Sequence, residues 1–475
     1  MEGTKLTRFE YDLLSVGGGP AGLVGAVGAS HLGLKPALIE KERLGGDCLW
    51  TGCVPSKSLL ASSHLSHAIK HASDMGLEEV DPIHDSSIVM KRMRNIRSKI
   101  AIHDNPHRLL EMGIDTHFGH ARFKDPTTLE VEGVGIFKSK RIILATGAKP
   151  KIPDIKGLDK ITYLTYENIF DLEKYPDSIG IIGAGPVGVE LAQTFNRLGS
   201  QVAIFEIKDG ILNREDDDVG ICMKNILQAE GIQIHLESTI QQIIVDDKGR
   251  NVVSTGKDHF QFDDILLATG REPAIQDLNL EVANVEINNG IVKSGPTLVT
   301  SNKRIWAVGD ASGGPQFTHY AEYSAATAVR NSLLPFPKSV EYSFIPHVIF
   351  TDPEIAHVGL TEQEATSKGG KTFRVDFEEI DRAMAEGKTE GFIKISANKK
   401  GHILGCSIIG YRGGELIQPV VIAMKHGLTL PQIASTTFAY PTMGEGLKRS
   451  AMAYQKSRLE SPLGLILKKC VAWIK

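Results

Sequence analysis

The chain has 475 residues with 53 Lys and Arg against 57 Asp and Glu, a formal charge of −4; the length exceeds one core and predicts about three domains, and no global charge draws the chain to nucleic acid or anionic lipid. A hydrophobic fraction of 41% with 23% charged residues excludes disordered and fibrous classes. No apolar run approaches the ~20 residues of a spanning helix, and residues 1–11 carry Glu2, Lys5, Arg8 and Glu10 with no apolar core, so no signal peptide is expected and the expected location is cytoplasmic.

Residues 11–16 (YDLLSV) form an apolar run of strand length that leads into Gly17-Gly-Gly19-Pro-Ala-Gly22 and then a small-residue helical segment. Each glycine in this G-x-G-x-x-G spacing has a task. Gly17 makes the tight turn, Gly19 admits a pyrophosphate to the backbone, and Gly22 lets helix and strand pack closely. A second strand, residues 35–40 (KPALIE), ends at Glu40, where a ribose hydroxyl needs an acceptor. The pattern recurs in residues 178–182 (SIGII), Gly183-Ala-Gly185-Pro-Val-Gly188 and a strand that ends before Glu206, so two dinucleotide sites are expected. Glu206 favours a free 2′-hydroxyl, hence NAD over NADP, although a neighbouring cation can still take a phosphate. Each fingerprint is followed by a strand closing on Ala-Thr-Gly, at Gly147 and at Gly270. A further strand, residues 304–308 (RIWAV), ends in Gly309-Asp310 and puts a carboxylate at a strand's C-terminal edge, where open α/β sheets bind ligands. From residue 343 the fingerprints stop, and strand-like stretches at 344–350, 391–395 and 402–410 alternate with helical ones, which reads as an α+β domain.

Five Cys do not make a disulfide scaffold in so long a chain. Cys222, Cys406 and Cys470 are scattered, but Cys48 and Cys53 are only five apart. On an ideal helix that spacing gives a Cα separation of roughly 8.6 Å, beyond the ~7 Å reach of a disulfide. The segment must therefore leave ideal helix, as Gly52 permits, and Pro55 suits the first turn of a helix carrying Leu59, Leu60, Leu65 and Ile69. Cys53 then sits at a helix N-terminus, where the dipole lowers thiol pKa. A zinc site would need further ligands at close spacing, and none accompanies the pair, so a redox pair is favoured over a metal site.

Two fingerprints, a Cys-x4-Cys pair after the first, the Gly309-Asp310 strand end and a C-terminal third domain together resemble the class I flavin-dependent pyridine nucleotide–disulfide oxidoreductases, which include dihydrolipoamide dehydrogenase, glutathione reductase and mercuric reductase. The resemblance implies an α/β chain: two Rossmann-like dinucleotide-binding domains, for FAD and NAD, plus a C-terminal α+β dimerisation domain. The implied division is 1–150 (FAD, first part), 151–270 (NAD(P)), 271–342 (FAD, second part) and 343–475 (dimerisation). It also implies that Glu40 meets the adenosine ribose and Asp310 the ribityl chain. Cys53 would face the flavin, Cys48 would meet the substrate, and Lys57 would pair with Glu190 beside the flavin. Gly147, Gly309, Thr318, Gly270 and Glu206 join the expected cofactor contacts. Without the resemblance, Lys57 and Glu190 read as solvated helix charges.

Near the C-terminus the dehydrogenase and glutathione reductase carry a His-Pro element followed by a Glu, whose His serves as acid/base in the partner's site. Here Tyr440-Pro441 precedes Glu445. A phenol with pKa near 10 is a poor base at pH 7, and losing such a His typically forfeits ~10²–10⁴ in rate. Tyr440, Pro315-Gln-Phe317 and residues 381–394 resemble mercuric reductase, whereas Glu206 and Thr318-His319 resemble the dehydrogenase; the paired C-terminal Cys of mercuric reductase are reduced to Cys470. The expected activity passes electrons from NADH through FAD and the Cys48–Cys53 pair to a metal ion, disulfide or quinone-like acceptor, in a homodimer. Dihydrolipoamide dehydrogenase and a non-enzymatic redox sensor are the alternatives. After Pro462, Leu463, Ile466, Leu467, Cys470, Val471 and Ile474 fall at helical spacing with Lys468, Lys469 and Lys475 opposite. This basic amphipathic tail either packs on protein or lies on a membrane surface.

Overall fold

Residues 10–82 and 85–474 are described in the structure, a computed structural model; most of the N-terminal segment read above as lacking an apolar core lies outside them. Strand β1 (Leu13–Val16) is buried along its whole length and turns through Gly17 into helix α1 (Pro20–His31), which feeds β2 (Pro36–Glu40). Gly17 has φ +108°, a conformation that an L side chain resists, and Pro20 starts the helix where its missing N–H costs nothing. Parallel pairing builds one sheet in the order Ile305–Ala307, Ile142–Leu144, β1, β2, Asp115–Phe118. The strand before Asp310 thus lies in the same sheet as the first fingerprint.

The second fingerprint repeats the geometry. Ser178–Ile182 turns through Gly183, also at φ +108°, into Pro186–Arg197 and Gln201–Phe205, within a four-stranded parallel sheet. The chain enters and leaves this unit through a short antiparallel ribbon in which Ala148–Pro150 pairs with Arg271–Pro273. Between the two Ala-Thr-Gly turns, the chain therefore makes an excursion of its own.

The C-terminal region is a five-stranded antiparallel sheet, ordered His347–Ile349, Glu354–Gly359, Ile403–Gly410, Phe392–Ala397, Lys371–Asp376. The first strand is shorter than the 344–350 run suggests, because Tyr342–Phe344 forms a 3-10 turn and Pro346 has no N–H for the ladder. Lys394, 4% exposed, reaches from this sheet to Asp216, Asp218 and Glu362, and Arg197, also 4% exposed, joins Glu230 to Asp352. The two buried cations thus tie the second fingerprint's unit, through Asp216, Asp218 and Arg197, to the sheet and its flanking loop.

Helix Pro462–Ile474 forms as the spacing predicts. Ile466, Cys470 and Trp473 are exposed on it, and the side chains of Leu463, Leu467, Lys469, Val471, Ile474 and Lys475 lie outside the described residues. Among the described residues no helix is long and apolar enough to cross a membrane.

Candidate active site

The cysteine loop is a helix interrupted once. Helix α2 (Gly46–Trp50) stops at Thr51, and Cys53 opens helix α3 (Cys53–Lys70). A Cβ on Gly52 would stand 2.9 Å from the Asp47 carbonyl oxygen, so only glycine closes the loop this tightly. The break brings the two thiols, both unbonded, into hydrogen-bond contact. The hydrogen bond from Cys48 pulls the Cys53 thiol below its ordinary value against the push of burial. The Thr318 hydroxyl, 3.3 Å from Cys53 Sγ, and the Lys57 cation assist. Cys48 moves the other way, raised by that same hydrogen bond and by burial. The arrangement holds the first thiolate on Cys53.

Helix α3 carries Lys57 one turn further on, where Nζ lies 2.9 Å from Glu190 Oε2. Glu190 is buried in helix Pro186–Arg197, and its other oxygen accepts the Phe350 N–H at 2.8 Å. One carboxylate thus joins the thiol helix, the second fingerprint and the C-terminal sheet. Of the same helix's predicted apolar residues, Leu59 and Leu60 are buried, whereas Leu65 is 62% exposed.

A cleft of 1190 Å³ runs from Glu40 past Gly17, Gly19, Gly147, Gly309 and Asp310 to Cys48, Cys53, Lys57, Glu190 and Thr318. Its wall fits an extended dinucleotide. Cβ atoms on Gly17 and Gly22 would meet backbone oxygens at 2.2 and 1.7 Å, so these two are filled by the fold itself, while the nearest atom to a Cβ on Gly19 is 3.7 Å away. Gly19 therefore leaves its backbone open to a diphosphate. Buried Thr51 Oγ1, Thr146 Oγ1 and Arg271 Nε, all on residues lining the cleft, have no hydrogen-bond partner among the described residues. Those polar atoms suit a polyhydroxylated, phosphorylated ligand. Glu40 accepts the N–H groups of Gly18 and Glu42 at 2.6 and 2.7 Å, and Glu206 accepts those of Ala184 and Lys208 at 2.9 and 3.0 Å. Each acid closes its own glycine turn. In the second turn a Cβ on Gly188 would lie 2.1 Å from the Gly183 oxygen, while Gly185 and Gly270 have nothing within 4 Å.

Tyr440 and Glu445 do not line the cleft of their own chain. Tyr440, 70% exposed, donates to Asp381 Oδ2 at 2.7 Å, which raises its pKa further above the ordinary phenol value. Glu445 is engaged by Arg449 at 2.7 Å. Sequence reasoning missed Arg271, Asp47 and Tyr166. Arg271 Nη1 is 2.8 Å from Asp310 Oδ2, its Nη2 contacts the Asp47 carboxylate, and its guanidinium lies 4.8 Å from the Tyr166 ring centre. The available signal was positional: Arg271 follows the second Ala-Thr-Gly, and Asp47 precedes Cys48.

Residues 11–325 match the family described as pyridine nucleotide-disulphide oxidoreductase, and residues 345–451 match that family's dimerisation domain. The mercuric reductase of Bacillus cereus is 32% identical over 456 residues, covering 94% of this chain and 72% of its own. The dihydrolipoyl dehydrogenase of Bacillus subtilis (strain 168) is 31% identical over 464 residues, covering 94% and 98%. Among solved structures, the HOCl-induced flavoprotein disulfide reductase RclA from Escherichia coli, in its Cu(II) complex, superposes with a TM-score of 0.85 at 27% identity, covering 94% of this chain and 100% of that one. Because the two matched segments span both glycine turns, the thiol pair and the C-terminal sheet, the chain belongs to the pyridine nucleotide-disulphide oxidoreductase family: it is an FAD-dependent, NAD(P)H-using enzyme whose dimerisation domain supports a homodimer.

Proposed function

We propose that the enzyme passes electrons from NADH to a soft metal ion held as a thiolate complex, in the manner of a mercuric reductase. The observation that carries this reading is a thiol pair with a low-pKa member beside Lys57–Glu190, combined with Tyr440 where an acid/base His would serve a dithiol substrate. Metal exchange between thiolates needs no proton transfer, whereas oxidation of a dithiol needs a base to take the proton from the attacking thiol. Similarity to mercuric reductases, and to a reductase whose structure is a Cu(II) complex, supports the same substrate class.

Bound FAD supplies the two-electron relay between nicotinamide and disulfide. Cys53 takes the electron pair, Cys48 leaves as a thiolate and binds the acceptor, and Lys57 holds a positive charge beside the centre. Tyr440 of one chain serves the other chain's Cys48. Glu206, directly after its strand and bonded to the Ala184 N–H, favours NADH because a carboxylate there repels a 2′-phosphate. A cytoplasmic location matches that NADH supply. Dihydrolipoamide oxidation is the second reading, favoured by 31% identity to a dihydrolipoyl dehydrogenase and opposed by Tyr440.

The test is anaerobic NADH oxidation with thiol-ligated Hg(II) and with Cu(II), beside a Cys48→Ala control, with NADPH in parallel. Cys48-dependent turnover with either metal, faster with NADH, supports the reading. A flavin that NADH reduces but neither metal reoxidises would overturn it and leave disulfide or quinone-like acceptors.

The C-terminal helix would be the dimer's contact with anionic lipid. It lies beyond the segment that matches the dimerisation domain, and it shows Ile466 and Trp473 at 58% and 94% exposure with Lys468 on another face. Co-sedimentation with phosphatidylserine vesicles, abolished by truncation after Ser461, is expected. An intact protein that stays in the supernatant would assign the stripe to a protein contact instead.

A further inference from the structure

The loop that holds the redox cysteines is fastened at both ends by arginines that come from outside it. At its start, the Asp47 carboxylate, on the residue before Cys48, contacts Arg271 Nη2. Arg271 is the first residue of the ribbon strand Arg271–Pro273, which pairs with Ala148–Pro150 and joins the two nucleotide-binding units. Its other terminal nitrogen holds Asp310, and its plane rests on Tyr166. At the other end, Arg97, buried in helix Ser86–Ala101, donates through Nη1 to the Trp50 carbonyl oxygen at 3.0 Å and pairs with Asp171 at 2.9 Å. Trp50 Nε1 in turn donates to the Leu44 carbonyl oxygen at 2.6 Å, and the Arg43 guanidinium lies 4.4 Å from the indole centre.

The two fastenings differ in kind. Arg97 grips backbone and would hold any residue at position 50. Arg271 grips a side chain, and a neutral side chain at position 47 would leave one arm of its fork free. Burial pushes the Asp47 and Asp310 carboxyls upward against the pull of the shared guanidinium, so both acids depend on that cation to remain charged. The pair therefore costs desolvation that only a fixed geometry recovers.

We propose that Asp47, acting through Arg271, is a positioning residue for Cys48: the ion pair locks the thiol loop to the ribbon that carries the second nucleotide-binding unit. The step it serves is the entry of an electron pair at Cys53 Sγ, which breaks the S–S bond and releases Cys48 Sγ as a thiolate that takes up one proton. The electron pair originates in NAD(P)H. That transfer requires the S–S axis to be aimed correctly, and a displacement of about 1 Å costs on the order of 10²-fold in rate. The role is independent of which acceptor Cys48 then meets.

Asp47→Asn and Asp47→Glu variants of the FAD-loaded dimer test this. After anaerobic mixing with NADH, the isosteric Asp47→Asn is expected to keep its FAD content, its melting temperature within a few degrees, and flavin reduction within twofold. Electron passage onward to the disulfide should slow at least tenfold, and backbone hydrogen exchange in residues 46–52 should rise by a similar factor. Asp47→Glu should recover most of both. Unchanged transfer to the disulfide with unchanged exchange would overturn the proposal. So would a parallel loss of FAD, melting temperature and both rates that Asp47→Glu does not reverse, since that marks a packing role only. Should Asp47→Asn fail to fold, Arg97→Lys loosens the loop's other end; normal exchange and transfer there with a collapsed Asp47→Asn would also overturn it.

Discussion

At Cys53 the deciding quantity is which thiol loses its proton first. A hydrogen bond from Cys48, the Thr318 hydroxyl and the nearby Lys57 cation all favour the Cys53 thiolate, and together they outweigh burial and the Glu190 charge, which oppose it. In the reduced enzyme, alkylation by iodoacetamide should therefore follow a thiolate fraction whose midpoint lies well below the ~8.5 of a free thiol, because the two sites titrate as a pair. The rate should be flat above that midpoint and fall about tenfold per pH unit below it. Cys53→Ser should move the midpoint upward; a profile that stays put would remove Cys53 from the role. Lys57 offers a second reading at this scale. Replacing it by Met leaves the buried Glu190 carboxylate with only the Phe350 N–H as a partner. Lys57 is itself about a third exposed, so the loss should be near 2 kcal/mol in urea unfolding rather than the larger cost of a fully buried pair. The same substitution should slow flavin reduction by NADH, measured by stopped flow.

Among the elements, the two strand–glycine–helix turns obey one geometry yet tolerate change differently along their length. A Cβ on Gly188 would collide with the Gly183 oxygen, whereas one on Gly185 meets nothing within 4 Å. Gly188→Ala should therefore destabilise the second unit and be seen as a lowered melting temperature. Gly185→Ala should melt like the wild type but raise KM for NADH, because its methyl group stands where the pyrophosphate approaches. Equal effects of the two on stability would contradict the assignment of the middle glycine to the ligand. The interrupted helix around the cysteines follows the same logic in reverse, since Gly52 is needed for a contact within the chain and not for a ligand.

Over the whole molecule, the second unit and the C-terminal sheet are joined by two buried cations, Arg197 and Lys394, paired with carboxylates that range from buried to half-buried. Burial pulls the Lys394 pKa down, but hydrogen bonds to Asp218 and Glu362 and the field of Asp216 outweigh it and hold the ammonium above its ordinary value. Lys394→Met removes the ammonium from Asp216, which keeps the Ser407 hydroxyl and the Glu362 N–H, and from the part-exposed Asp218 and Glu362, and is expected to cost about 2 kcal/mol in denaturant unfolding. Asp216 and Asp352 are both held below the ordinary carboxylate value of 3.8 despite burial. Their contribution is present above pH 3.8 and is lost as pH falls through their lower folded values, so the junction should open in acid below about pH 3.8. Calorimetry across that range should show the wild type losing stability while Lys394→Met, already deprived of the pair, loses less.

The glycine turns, the acids at the ends of their second strands, the spaced thiols and the repeated α/β units followed by a sheet domain are all legible in the sequence. Each of these is a local matter: a positive φ, a strand length, or a cysteine spacing is written within some ten or twenty residues. The sequence also marked Lys57 and Glu190 through resemblance, though nothing within either segment requires a partner 133 residues away. Folding, and no local pattern, sets Glu190 against Lys57 and Phe350 at once, Thr318 against Cys53, and Tyr440 against Asp381. It alone forms the Asp47–Arg271–Asp310 cluster and the buried junction at Lys394. Those are meetings between segments far apart in the chain. Their energy comes from removing charges from water in a fixed geometry, which no local pattern encodes.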